Sequence, residues 1–263
     1  VRRSIFVTSA LAALGSEAPL WAAARALEGG ATTQGDLFAA LPRARARQWT
    51  RIILGSGAQY QKQIGAGIEV ARDGTPRSFF ETQVGSPGGS CNPSSMRKSY
   101  LRTNAFGSLL ATYPLLANIG RTENLVYRFG DLADGAKPGA PDTTLRLLEE
   151  PYLYDARPMV IESVSRARIH VASRDVETTH VTARYGKPAS KGQRLRAFEL
   201  WHAPDFPFGV AKYHAVLDGL DPFEAHVYSH GEDFASILSL TLAQVRAITP
   251  NGTYGQLPQG IGA

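Results

Sequence analysis

The sequence predicts a mainly β fold: a curled antiparallel sheet or half-barrel of about nine or ten strands, with a helical insertion around residues 94–118. Two observations predict the strands. Five β-rich runs follow one another at residues 159–171, 176–185, 194–201, 209–217 and 223–230, separated by loops at 173–175, 186–192, 203–208 and 218–222, the spacing of an antiparallel meander. An earlier set covers residues 49–84, where Gly55-Ser56-Gly57 reads as a hairpin turn and Asp73-Gly74 as a second one. A third observation predicts the insertion. Ser94 or Ser95 is placed to cap a helix running to Leu101, and an apolar stretch covers residues 106–116, with Pro114 breaking it. A sheet this wide curls, and a curled sheet partly covered by helices makes an apolar cavity.

Residues 1–26 read as a signal peptide. Arg2-Arg3 supply a positive start, residues 5–14 form an apolar run too short to span a membrane, and Ala24-Arg25-Ala26 fits a small-x-small cleavage pattern with Ala24 and Ala26 at the small positions. Arg2-Arg3-Ser4-Ile5-Phe6 resembles the twin-arginine motif, and the mild apolar run and Arg25 fit that route. These features imply export to the periplasm or medium of a bacterium. Residues 27–48 then read as a mobile lead-in with a helical turn around residues 36–41, residues 49–250 as one β-rich domain, and residues 251–263 as a tail. A short helix is expected at 144–149, and residues 234–242 read as a last strand after the Gly231-Glu232-Asp233 turn.

The chain has 263 residues and a formal net charge of +5, which falls to +3 once Arg2, Arg3, Arg25 and Glu17 of the leader are set aside. A charge that small is no nucleic-acid footprint. Cys91 is the one cysteine, so no disulfide forms within the chain. No later segment is long and apolar enough for a membrane-spanning helix. An outer-membrane barrel is disfavoured because the strands carry many polar positions on both faces.

Candidate chemistry is sparse. All six histidines fall between residues 170 and 230. If Leu217 pairs with Phe223, His214 lies opposite His226, with His230 on the same face. That group could bind a transition metal but lacks a placed carboxylate, so no metal or other cofactor is expected. Cys91, in the Gly/Pro/Ser-rich loop of residues 85–93, is a candidate nucleophile if a histidine reaches it. Glu69, Glu81 and Glu123 on separate strands are more simply solvent-facing than paired acids. No nucleophile elbow, phosphate loop or zinc-helix motif is present.

The most informative stretch is residues 201–213. It reads as a strand ending at Trp201, a turn stiffened by Pro204 and Pro207 with Phe206 and Phe208 as apolar caps, and a strand from Gly209 through Tyr213. A Trp-bearing strand, a Pro-Phe-Gly-Val turn and a strand ending in a Gly-terminated hairpin, over residues 194–242, resembles an element of the periplasmic lipoprotein carriers, the LolA/LolB-like curled half-barrels. The resemblance implies an open sheet wrapped round a helical plug, with an apolar inner face for acyl chains or a partner's hydrophobic segment. Trp201, Phe206, Phe208 and Tyr213 would be its ligand-side residues, and the partner a lipid or an envelope protein. The chain is longer than the carriers and has the Cys91 loop, so lipoprotein transport itself is not implied. The resulting expectation is non-catalytic binding of an apolar ligand or lipid. The alternative is a periplasmic enzyme or metal-binding protein using Cys91 or the His214/His226/His230 group.

Overall fold

The computed structural model describes residues 20–39, 41, 44–56, 58–70, 74, 76–86, 96–101, 112–122, 125–131, 144–146, 153, 155, 157–186, 195–238 and 255–256. Residues 1–19, Cys91 with its loop, and Glu123 lie outside them.

Among the described residues two helices and fourteen strands follow in chain order: α1 (Leu20–Leu27), β1 (Ala31–Thr32), α2 (Gln34–Ala39), β2 (Trp49–Ser56), β3 (Ala58–Val70), β4 (Pro76–Gly85), β5 (Met96–Leu101), β6 (Thr112–Thr122), β7 (Leu125–Asp131), β8 (Thr144–Arg146), β9 (Met159–Val171), β10 (Arg174–Tyr185), β11 (Leu195–His202), β12 (Val210–Leu217), β13 (Phe223–Gly231) and β14 (Gly255–Gln256). The strands form one antiparallel sheet in the order β1-β9-β10-β11-β12-β13-β2-β3-β4-β5-β6-β7-β14, with β8 paired to β6. Two meanders, β2–β7 and β9–β13, are therefore joined by the long-range pairing of β13 with β2, in which Ala225 faces Leu54 and Val227 faces Ile52.

Where residues 94–118 are described, strands stand in place of the expected helical insertion. Met96–Leu101 is a strand paired on both sides, to β4 and β6, and Thr112–Thr122 is a strand paired to β5, β7 and β8. The cause is visible in β5, where five of six residues are buried. A strand covered on both faces loses the polar/apolar alternation that marks a half-exposed one, and is easily read as a helix. Residues 144–146, expected as helix, are strand β8. Residues 234–238, expected as strand, run without a ladder, while 239–242 lie outside the described residues.

Paired residues in a sheet share a face. One face carries Phe198 and Leu200 of β11, Tyr213 and Ala215 of β12, Phe223 and Ala225 of β13, Ile52 and Leu54 of β2, Ile64 and Ala66 of β3 and Phe80 of β4, all in the buried core. This is the inner face. The stretch expected as a mobile lead-in carries β1 and α2. Helix α2 opens on a cap made by Thr33 and Asp36: the Asp36 backbone N–H donates to Thr33 Oγ1 and the Thr33 N–H to Asp36 Oδ2, each at 3.2 Å. Its apolar side, Leu37 and Phe38, packs on the inner face with the Phe38 ring 5.9 Å from that of Phe198. Gln34 ties the helix to the incoming connector, donating to the Leu153 carbonyl and accepting the Asp155 N–H, both at 2.9 Å.

The sheet is curled, and two contacts prove it. The β9–β10 hairpin tip reaches β13, where the Ala172 N–H donates to the Val227 carbonyl at 3.2 Å, although β9 and β13 are four strands apart in the sheet. The β11–β12 turn reaches β4, also four strands from β12, with Phe208 and Phe80 rings 5.6 Å apart. In a flat sheet four steps would separate these groups by roughly 19 Å.

Candidate functional site

The turn between β11 and β12 folds over the inner face. Pro207 starts a single 3-10 turn, and Phe208 and Gly209 follow with φ of +65° and +68°. Glycine takes that conformation freely, but phenylalanine does so at a cost of about 1–2 kcal/mol. Burial of the Phe208 ring on Phe80 offsets it. His202 locks the turn, its Nδ1–H donating to the Gly209 carbonyl. Burial holds the His202 imidazole below its ordinary range, outweighing the bond to the Gly209 carbonyl, which favours the protonated ring. Phe206 lies edge-on to His230 at 4.7 Å, beneath the Arg174 guanidinium at 5.2 Å from its centroid.

Of the four residues expected on the ligand side, Phe206, Phe208 and Tyr213 are therefore brought together in the core, packed against side chains of this chain. The Tyr213 ring stacks on Phe198 at 5.6 Å, and burial pushes its phenol well above the ordinary range. Trp201 is on the opposite, outer face. There it stacks on His180 with centroids 4.4 Å apart and planes at 10°, and Lys212 Nζ lies 5.1 Å from its ring.

The outer face of β10–β13 is laid out in two rungs. His180, Trp201, Lys212 and His226 form one, and Thr182, Glu199, His214 and Glu224 the next. Glu199 joins them, with Oε2 2.8 Å from His180 Nε2 and Oε1 3.4 Å from His214 Nδ1. The expected facing of His214 and His226 is corrected: His214 faces Glu224 and His226 faces Lys212. The pairing begins at Ala215 with Phe223, not at Leu217, so the register moves by two residues and the faces stay the same. Burial and then the Lys212 charge lower the His226 imidazole. His230 is separated from both, because an irregularity between Val227 and Ser229 turns it to face Thr50, on the side of Phe206. Among the described residues no three His, Cys, Asp or Glu side chains are grouped to hold a metal ion. The sequence reading missed Glu199 as the carboxylate between two histidines, although its place two residues before Trp201 put it on the same face.

A second polar group lies on the outer face of β3–β5, beneath residues 232–238. Glu81 accepts the Ser236 hydroxyl at 2.6 Å and the backbone N–H groups of Ile237 and Leu238 at 3.0 and 3.2 Å. Lys98 Nζ donates to the Leu238 carbonyl at 3.1 Å, pairs with Glu69 Oε2 at 3.0 Å and sits 4.0 Å from the Phe79 ring centroid. Tyr100 donates its hydroxyl to Glu69 at 2.9 Å, and burial together with the Glu69 charge raises its phenol far above the ordinary range. Glu69 and Glu81 are thus engaged in holding the chain, not facing each other as an acid pair.

The inner face is covered unevenly. Ile64 and Ala66 of β3 are fully buried, but the next two residues on the same side of that strand, Ile68 and Val70, are 51% and 66% exposed. No helix of the described residues is long and apolar enough to cross a membrane.

No family model matches the chain. No curated protein matches it either. Solved structures do. A protein from Parabacteroides distasonis described as a lipoprotein is 8% identical with a TM-score of 0.32, over 72% of this chain and 97% of that one. A Bacteroides fragilis protein described as exported, with a YmcC-like fold, is 6% identical with a TM-score of 0.33, over 73% of this chain and 98% of the other. MucB is 13% identical with a TM-score of 0.31, over 75% of this chain and 56% of its own length.

Proposed function

We propose that the protein is an exported bacterial envelope protein that binds an apolar ligand or lipid without catalysis, against the open end of its curled sheet. The observation that carries this reading is the run Ile64, Ala66, Ile68, Val70. One side of one strand passes from the covered core to solvent while remaining apolar, and exposed apolar surface continuous with a core marks a binding groove more often than a plain surface does. Phe208, packed on Phe80 opposite Ala66, closes the covered end of that run, and Trp201, on the outer face, takes no part in it. The leader-like amino terminus supports the export half of the reading.

The test is direct. Protein purified without detergent is analysed by native mass spectrometry for co-purifying lipid, then delipidated and titrated with a fluorescent fatty acid. The double variant Ile68→Asp/Val70→Asp is titrated in parallel. Saturable binding that weakens at least about tenfold in the variant is expected, since two apolar contacts at about 1.5–3 kcal/mol each are removed. Absence of lipid together with no probe binding, or equal binding by the variant, overturns the reading.

A further inference from the structure

We infer that residues 20–30 are a structural part of the mature domain, so that the bond cut on export lies upstream of Leu20 and not after Ala26. The inference rests on the export reading for the cut, and on packing alone for the boundary.

Helix α1 is amphipathic with respect to the sheet. Ala24 is 0% and Leu27 6% exposed within the main core, while Arg25 and Ala26 face solvent. Its carboxyl end is fastened to β9 by several bonds. The Gly29 N–H donates to the Ile161 carbonyl at 3.0 Å, and Glu28 Oε1 accepts the Val164 N–H at 3.2 Å. Arg25 Nη1 in turn holds Glu28 Oε2 at 2.7 Å from one turn back on the helix. Glu28 also bridges Ile161 in parallel, and Ala31–Thr32 continues the cover of the β9 edge opposite Val160 and Met159.

A cut after Ala26 would remove Ala24 from the core and Arg25 from Glu28. It would also leave Leu27, whose side chain lies in the core, as the new amino terminus. The local fold opposes such a cut as well. A peptidase needs an extended segment, and residues 24–26 are helical, with Ala24 held in the core. A route that carries folded chains presents them in that state. Upstream of Leu20 the sequence offers other small-x-small triplets, among them Ala10-Leu11-Ala12, Ala13-Leu14-Gly15 and Ser16-Glu17-Ala18, the last followed by Pro19.

The full chain is produced in a bacterial host, cells are fractionated, and the exported protein is sequenced from its amino terminus. A mature chain starting at Ser16 is expected, and any cut that leaves Leu20 in place supports the inference. A start anywhere from Trp21 onward overturns it. Two purified chains, one starting at Pro19 and one at Leu27, are then compared by thermal unfolding. The shorter should lose about 5–10 °C in Tm, or fail to fold where the longer folds. Equal Tm values overturn the inference. Protein found only in the cytoplasm with its leader attached would count against export, while the Tm comparison would still decide the boundary.

Discussion

At the scale of single residues, one buried and two half-buried histidines make stability depend on pH. His202, His226 and His230 are all held below the ordinary imidazole range, each by burial first. An unfolded chain takes up protons as pH falls through about 6.5, while the folded chain resists until its lower values are reached. Stability is therefore full above the unfolded value and is lost as pH falls below it. Thermal melts should show Tm constant from about pH 8 to 7 and falling towards about pH 5. His202→Gln should melt lower at pH 8 but with a shallower fall, whereas an unchanged slope would remove His202 from the effect. Phe208 is the other decisive residue, since its ring must repay a left-handed backbone. Phe208→Ala should cost about 3–5 kcal/mol in urea unfolding, and Phe208→Leu less.

At the scale of elements, residues 232–238 are the least expected piece. They make no ladder, yet side chains of β3–β5 hold them closely. The fit depends on a missing side chain, since a Cβ at Gly65 would stand 2.1 Å from the Phe234 ring. Gly65→Ala should therefore displace Phe234 and destabilise by about 1–3 kcal/mol, the usual penalty of overpacking. Glu81→Ala leaves one buried and one half-buried N–H group without their acceptor and should cost about 1–3 kcal/mol. Proteolysis near residue 238 should rise in both variants, and a chain equally resistant in both would show the segment is held elsewhere. These contacts explain what was legible in the sequence and what was not. Strands β9–β13 were read correctly because turn-forming loops bound them and one side of each faces solvent. Strand β5 was misread because Lys98, Ser99 and Tyr100 are polar and buried. Glu81 could not be recognised as a chain-holding residue because its partners lie more than 150 positions away. Likewise the shift that sends His230 to the inner side is a local irregularity in β13 that alternation alone cannot reveal.

At the scale of the whole molecule, the proposed binding depends on how tightly the sheet curls, because curling decides which apolar groups meet each other and which would remain for a ligand. The curl is fastened where chain-distant pieces meet: the β9–β10 tip on β13 and the Pro-bracketed turn on β4. Phe80 and Phe208 are 128 positions apart by their numbering and belong to different meanders. They interact only if the two meanders bend towards each other. A double-mutant cycle on Phe80→Leu and Phe208→Leu therefore reads the curl in solution. Tilted aromatic pairs at such separations contribute about 0.5–1.5 kcal/mol beyond burial, and neighbours in contact depart from additivity by a similar amount. A coupling of about 1 kcal/mol is expected, whereas strict additivity would mean a flatter sheet. The same cycle repeated with bound fatty acid links fold to function. If ligand enters at Ile68 and Val70 and stops at the covered end, the coupling stays constant. If ligand must part the meanders to enter, the coupling falls as binding saturates, and the Phe208 turn acts as the gate to the groove.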